Sequence, residues 1–412
     1  ALSVISFPES LTSIDASAFD SCTTLSSVKI PKSLKTVGTL AFYNCTGLQS
    51  VYISDLKSWC EIDFSYAKSN PLYYAKTLFL NDLPLEGTVT IPQGTTKICA
   101  AAFSGCDNVT AVVIPQSVTS VGSQAFRKCT SLREVYISDL KNWCEIDFPD
   151  SAATPLYYAR KLFVGEDQIT DTLLIPEGTT KIGDYAFMYL GISDVSIPSS
   201  VASIGKYAFY CSSLTELTVP GTVKTIGELA FYWSLQLKKV SICSGVTSIG
   251  RKAFSECFAL SDIVVPVSVT TLGEAVFDRS LKLTDIYCEA ASKPSAWNES
   301  WMGDCAASVH WGDTWEYIGN IPQMKEPEGS FSEGLSYASN GNGTTCTLTG
   351  MGTCSDTDLV IPKTHNGMTV TAIGDWALEI SSCYTELGAV ELSNSITTIG
   401  MGAFDHQTFL RK

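Results

Sequence analysis

Basic residues are scarce in this chain, histidine is nearly absent and no long apolar run occurs; each shortage removes a class of function. Lys and Arg total 27 against 42 Asp and Glu, a formal net charge of -15. Nucleic-acid binding rests on Lys and Arg neutralising phosphates, so no nucleic acid is expected as a partner. Anionic membrane surfaces are disfavoured on the same ground. A bilayer span needs about 18 or more apolar residues in a row, and no such run is present, so no membrane insertion is expected. The three histidines, His310, His365 and His406, lie in no zinc-protease spacing and beside no nucleophile elbow. Asn340-Gly341-Asn342-Gly343 lacks the Lys-Ser/Thr of a phosphate loop and reads as a turn. No Cys has a basic neighbourhood that would lower its pKa. No catalytic residue, metal site or cofactor is expected, and the chain reads as a non-enzyme.

What the chain does have is repetition. With 45% hydrophobic residues it can bury a large core, and the apolar positions recur in register. Leu25-x-x-Val28-x-Ile30-Pro31 is followed by Leu34-x-x-Val37-Gly38 and Ala41-Phe42-x-x-Cys45, and Val51-x-Ile53 restarts the cycle 23 residues after Val28. Ile-Pro or a near variant returns at Ile91, Ile114, Ile175, Ile197, Val219 and Val265, and the Ala-Phe element at Phe103, Phe126, Phe187, Phe209, Phe231 and Phe254. Val28-x-Ile30 has the period of a strand with one face buried, and Pro31 ends it by removing a backbone donor. Segments such as Val118-Thr119-Ser120-Val121-Gly122 predict a second short strand, with Gly turning the chain. The Ala-Phe-x-x-Cys segment predicts a single helical turn with Phe pointing inward. One such coil cannot bury its apolar face, so stability must come from stacking on its neighbours. The expected fold is a parallel solenoid, a right-handed superhelix with a concave sheet, a second short strand per coil and single-turn helices.

Twice the spacing stretches to 38 residues, from Val51 to Val89 and from Val135 to Leu173. The stretched segments match each other, Asp55-Leu56-Lys57-Ser58-Trp59-Cys60-Glu61-Ile62-Asp63-Phe64 against Asp139-Leu140-Lys141-Asn142-Trp143-Cys144-Glu145-Ile146-Asp147-Phe148, 84 residues apart. These inserts, 54–80 and 138–164, are expected to protrude from one flank, with a short helix starting at Pro71 or Pro155 and a bulging strand after it. The expected organisation is a first array over 1–318 ending in a Trp-rich cap at 289–318, a linker at 319–334 rich in Pro, Gly and Glu, and a shorter array over 335–412 that opens with a hairpin from Leu335 to Cys346. Ala1 to Pro8 reads as the second half of a repeat and the end at Lys412 looks cut in the same way, so further segments beyond both ends are expected.

The pattern Ile-Pro-x-x-Val-Thr-x-Ile-Gly-x-x-Ala-Phe-x-x-Cys-x-x-Leu resembles the BspA-like class of leucine-rich repeats, common in bacterial surface proteins. The resemblance covers nearly the whole chain. It implies a leucine-rich-repeat solenoid, secreted or held at the cell surface and used in adhesion or recognition. It implies no enzyme activity and transfers no functional residues.

Fifteen cysteines invite a disulfide reading. Six of them, Cys22, Cys45, Cys106, Cys129, Cys211 and Cys257, follow the repeat Phe, and stacked neighbours about 5 Å apart with parallel Cβ vectors do not suit a disulfide, so a ladder of buried thiols is expected. Cys346 and Cys354 are the best candidates for a bond, since a hairpin could join them. Function must then lie on exposed strand positions. One column turns acidic through Glu134, Asp194, Glu216, Asp262 and Asp285, and its neighbour includes Tyr136 and Tyr287. Carboxylates with interspersed tyrosines suit a basic protein partner, charge supplying steering and rings contact area; the alternative is a solvated face kept soluble by like charge. Trp297, Trp301, Trp311 and Trp315 form either a cap over the open end of the core or a glycan-stacking platform. A structural spacer for another module is a third reading. The chain is expected to act as a monomer.

Overall fold

The computed structural model describes residues 2–75, 77–318, 321–324, 331–379 and 387–407. The chain divides into two compact units, Ala1–Trp315 and Glu316–Lys412. Residues 319–320 and 325–330 of the linker segment, and the chain end after 407, lie outside the described residues.

The first unit is a solenoid of stacked parallel strands. Ser27–Ile30 pairs with Ser50–Ile53 so that Val28 meets Val51 and Ile30 meets Ile53, and Glu216–Val219 pairs in the same manner with Lys239–Ile242. Alternate residues point inward: Val28, Ile30, Leu217 and Val219 are buried while Lys29 and Thr218 are exposed. Across the coil a second sheet of two-residue strands runs Lys181–Ile182, Ser203–Ile204, Thr225–Ile226, Ser248–Ile249 and Thr271–Leu272.

The Ala-Phe segment is not a helical turn. Residues two before and two after Phe adopt left-handed backbone, as at Tyr207 (φ 55°) and Cys211 (φ 56°) around Phe209 and at Leu229 (φ 55°) and Trp233 (φ 63°) around Phe231. A helix would turn its N–H groups along its own axis; this alternation turns every second one toward the next coil. Phe187 N–H thus donates to Ala208 O at 2.9 Å, Phe209 N–H to Ala230 O at 2.8 Å and Phe231 N–H to Ala253 O at 2.9 Å. Left-handed backbone costs a non-glycine residue about 1–2 kcal/mol, which these inter-coil bonds and the buried rings offset. Phe209, Phe231 and Phe254 stack at 5.3 Å with nearly parallel planes, and each buried ring contributes about 2–3 kcal/mol.

The glycine of the Ile-Gly step does not turn the chain either. Gly227 and Gly250 have no left-handed φ, but a Cβ on either would sit 2.5 Å from a backbone nitrogen of the preceding coil, Lys206 N and Glu228 N respectively. The hydrogen atom in place of a side chain is what lets coils close to strand spacing.

The inserts are coils rather than protrusions. Trp59 and Trp143 are each 1% exposed, and their ring N–H groups donate to Ala102 O at 2.9 Å and Ala186 O at 2.8 Å, past the strand that each insert adds to the main sheet. Each residue of the shared motif has a structural task. Asp55 and Asp139 cap the helices Leu56–Glu61 and Leu140–Glu145 by accepting from the N–H of Ser58 and Asn142. Trp and Cys fill the interior, and Glu61 and Glu145 accept from the N–H of Thr96 and Thr180. The presumed bulging strands, Thr77–Leu80 and Leu162–Val164, join the main sheet beside Ser50–Ile53 and Glu134–Ile137.

In the second unit, Ser336–Ser339 and Thr345–Gly350 form an antiparallel hairpin around Asn340 to Gly343, and Asp358–Ile361 pairs in parallel with Ala389–Leu392. Its core gathers Leu348, Leu359, Ile361, Val370, Ile373 and Leu378.

All cysteines among the described residues are free. Cys346 and Cys354 are not bonded to each other; both are buried thiols, and Cys346 Sγ approaches Met368 O. In the ladder, Cys45, Cys129 and Cys257 direct Sγ at the carbonyls of Phe19, Phe103 and Phe231. Cys211 is not a member. It holds one of the left-handed positions and is half-buried, while Ser212 takes the ladder place and shares a 2.8 Å hydrogen bond with Ser234. Burial raises the Cys45 thiol to about 11 and those of Cys106 and Cys257 to about 12, and reactivity requires thiolate. A neutral-pH alkylating reagent should therefore label exposed Cys243 in the native protein and reach Cys45, Cys106 and Cys257 only after unfolding, as read by peptide mass spectrometry; native labelling of the ladder would contradict the packing.

Candidate protein-binding face

The seven face residues singled out from sequence all occupy outward positions on main-sheet strands. Asp194, Glu216 and Asp262 are exposed, and Glu134, Tyr136, Asp285 and Tyr287 are half-buried. They do not form one patch. Glu134 and Tyr136 lie together on Glu134–Ile137, where the Tyr136 hydroxyl donates to Glu134 Oε2 at 2.8 Å. The insert strands Leu162–Val164 and Asp167–Ile169 follow in that sheet and part this pair from the downstream acidic column. Donation to the carboxylate holds the Tyr136 phenol above its ordinary pKa.

Downstream the column runs Asp194, Glu216, Lys239, Asp262, Asp285. Lys239 stands directly beside Glu216. Asp262 and Asp285 are directly opposite each other in parallel register, an arrangement of like charges that weakens a sheet. Local donors temper it. Ser261 Oγ donates to Asp262 Oδ2 and Thr284 Oγ1 to Asp285 Oδ2, both at 2.7 Å. His310 Nε2 lies 2.8 Å from Asp285 Oδ1, and the His310 and Thr284 hydrogen bonds hold the Asp285 carboxyl below the ordinary range. Tyr287 packs against His310 at 4.9 Å and Trp315 at 5.3 Å between ring centroids.

His310 is the residue that sequence reading missed here. It belongs to Ser308–Trp311, which adds a further strand to the sheet beside Asp285–Cys288. The signal was present, since Ser308 follows Asp285 by the 23-residue period. Phe79 and Phe163 were missed for a different reason: the insert strands fall off that period, yet their rings stack at 4.6 Å on Tyr52 and Tyr136. A further surface feature lies along the Ala-Phe turns, where Tyr185 stacks on Tyr207 at 4.7 Å and Tyr210 on Tyr232 at 5.5 Å.

The four tryptophans do not share one exposed surface. Trp297, Trp301 and Trp315 are buried, at 2%, 5% and 5% exposure. The Trp297 and Trp315 ring N–H groups donate to Val269 O and Cys288 O. Trp301 meets Phe277 edge-on at the end of the Phe column. Only Trp311 is half-buried, and its ring leans on Trp297. Three of the four rings are thus closed to a pyranose ring, and Trp311 alone of the four keeps part of its surface in solvent.

Repeat models for the BspA type leucine rich repeat region match six copies across residues 1–71, 73–149 and 159–284. The chain belongs to the BspA-type leucine-rich repeat family. Solved structures similar to it include other bacterial proteins. A leucine-rich repeat protein from Eubacterium ventriosum is 19% identical, with 78% of this chain and 87% of that one covered and a TM-score of 0.47. A leucine rich cell surface protein from Faecalibacterium prausnitzii is 19% identical over 75% of this chain and 87% of that one, TM-score 0.25. The pneumococcal vaccine antigen PcpA is 19% identical over 80% and 66%, TM-score 0.29. No curated protein matches the chain. The family is one of bacterial surface proteins whose repeats generally serve protein interaction, and no catalytic family is indicated. Among the described residues, no helix is long and apolar enough to cross a membrane and no group of three or more His, Cys, Asp or Glu is placed to hold a metal.

Removing the His310 donor should return the Asp285 carboxyl toward the ordinary range. NMR titration of the aspartate carboxyl in His310→Ala is expected to show a raised pKa; an unchanged value would contradict the contact. A depressed carboxyl stabilises the fold above its unfolded-state pKa, and that contribution disappears as pH falls through the folded one.

Proposed function

We propose that this protein recognises a basic protein surface through the outward face of its main sheet, acting outside the cell or at the cell surface as a monomer. The observation that carries this reading is the direct opposition of Asp262 and Asp285 on an outward face. Nothing in the repeat requires carboxylates there: the equivalent positions are Ser27 and Ser50 in the first coils. A carboxylate pair that weakens its own sheet is relieved when Lys or Arg of a partner sits across it. Asp194 and Glu216 extend the attraction along the same column, and Tyr287 supplies ring surface beside it. Glu134 with Tyr136 forms a second, separate contact point. Family membership supports both the class of partner and the location.

Charge steers encounter more than it sets final affinity. The double variant Glu216→Lys with Asp262→Lys should lose capture of basic proteins from extracellular-matrix extract, chiefly through a slower, less salt-sensitive association rate. Its folding stability should stay within about 0.5 kcal/mol of the parent, as for other surface changes. Capture undiminished in the variant would remove this face from the account.

A further inference from the structure

The two inserts are close in sequence but leave different surfaces. Each supplies a main-sheet strand and then reverses, the first at Asn81 and Asp82, both left-handed at φ 50° and 64°, into Leu83–Pro84 and on to Gly87–Thr90. The coil of Thr77–Leu80 therefore contributes no strand to the second sheet. That sheet is broken there: one piece ends at Asp63–Phe64 and the next begins at Lys97–Ile98. At the second insert the equivalent break is closed by main-chain bonds, Gly183 N–H to Cys144 O at 2.6 Å and Phe148 N–H to Asp184 O at 3.2 Å. At the first it stays open as a groove of about 320 Å³ lined by Ile62 to Ala67, Lys97 to Ala100 and Ser120 to Ser123.

The groove walls carry the hydrogen-bonding pattern of an absent strand. In intact coils each strand donates back to its predecessor: Gly38 N–H to Ile14 O, Ser65 N–H to Val37 O, Gly122 N–H to Ile98 O. The carbonyls of Ile62 and Phe64 receive no main-chain N–H among the described residues, as is also true of their counterparts Ile146 and Phe148; what sets the first insert apart is Cys99 N–H, which unlike Gly183 N–H reaches no main-chain carbonyl. Side chains repeat the message, with Phe64 and Ile98 facing the interior on either side of the gap. Across its mouth Lys97 Nζ lies 3.9 Å from Asp63 Oδ1, with both side chains exposed; such a pair is worth under about 1 kcal/mol and yields easily.

We propose that this groove binds an extended peptide segment of a partner protein as the missing rung of the second sheet. The segment runs parallel to Asp63–Phe64, donates N–H groups to Ile62 O and Phe64 O, accepts from Cys99 N–H and places one β-branched apolar side chain between Phe64 and Ile98. Unpaired main-chain groups on two facing strand edges specify peptide backbone, the mode in which a sheet edge takes an added strand. The acidic face plays no part in it.

A fluorescent peptide copying residues 117–123, Ser117-Val118-Thr119-Ser120-Val121-Gly122-Ser123, is a natural probe, because that segment already fills the adjoining rung. Anisotropy with the full chain should show saturable binding. Methylating the peptide nitrogens that copy Thr119 and Gly122 should weaken it roughly tenfold, as loss of two backbone bonds demands, and Ala100→Trp, which fills the groove, should weaken it likewise. The methylated peptide leaves the protein untouched, so a folding defect in the variant cannot mask the answer. Absence of saturable binding, or equal binding by the methylated peptide, would overturn the proposal.

Discussion

The structure depends on one constraint: each coil must bring its backbone to within strand spacing of the one before, on every side at once. Two sides meet it with parallel strands. The third meets it with the Ala-Phe turns, whose left-handed residues send alternate N–H groups outward to the next coil. Glycine in the Ile-Gly step gives way to the neighbouring backbone, and stacked Phe rings fill what is left between. Stability is then close to a sum over neighbouring coils. The same constraint leaves outward strand positions free of structural duty.

The main features of the solenoid were legible because its causes are periodic. Buried Val and Ile at strand positions and Phe in the interior announce themselves by recurrence. What did not show was geometry that several backbone conformations would satisfy. A short apolar segment such as Ala208-Phe209 with polar flanks is compatible with a helical turn, and only the neighbouring coil's need for hydrogen bonds selects left-handed residues instead. The place of the inserts is hidden in the sequence for a related reason. An added length reads as a protrusion unless Asp55, Trp59 and Glu61 are recognised as a cap, a core filler and an inter-coil acceptor. Cys211 stands one residue before the ladder position, which Ser212 fills as well as a thiol does.

The site was legible in part. Alternation along each strand correctly places Asp194, Glu216, Asp262 and Asp285 outward, but their arrangement depends on what interrupts the column. The second insert separates Glu134 and Tyr136 from the rest, and the cap segment returns a strand that sets His310 against Asp285. Composition alone pointed the tryptophans in two directions. Burial favours the cap, with Trp297 and Trp301 buried and Trp301 set against Phe277 at the end of the Phe column.

Native-state hydrogen exchange tests the central claim most directly. If the turns are an inter-coil ladder equal in standing to the sheets, the amides of Phe187, Phe209 and Phe231 exchange as slowly as the paired main-sheet amides of Glu216–Val219. Fast exchange at these Phe amides beside a protected sheet would show that the coils are joined on two sides only, and would contradict the account.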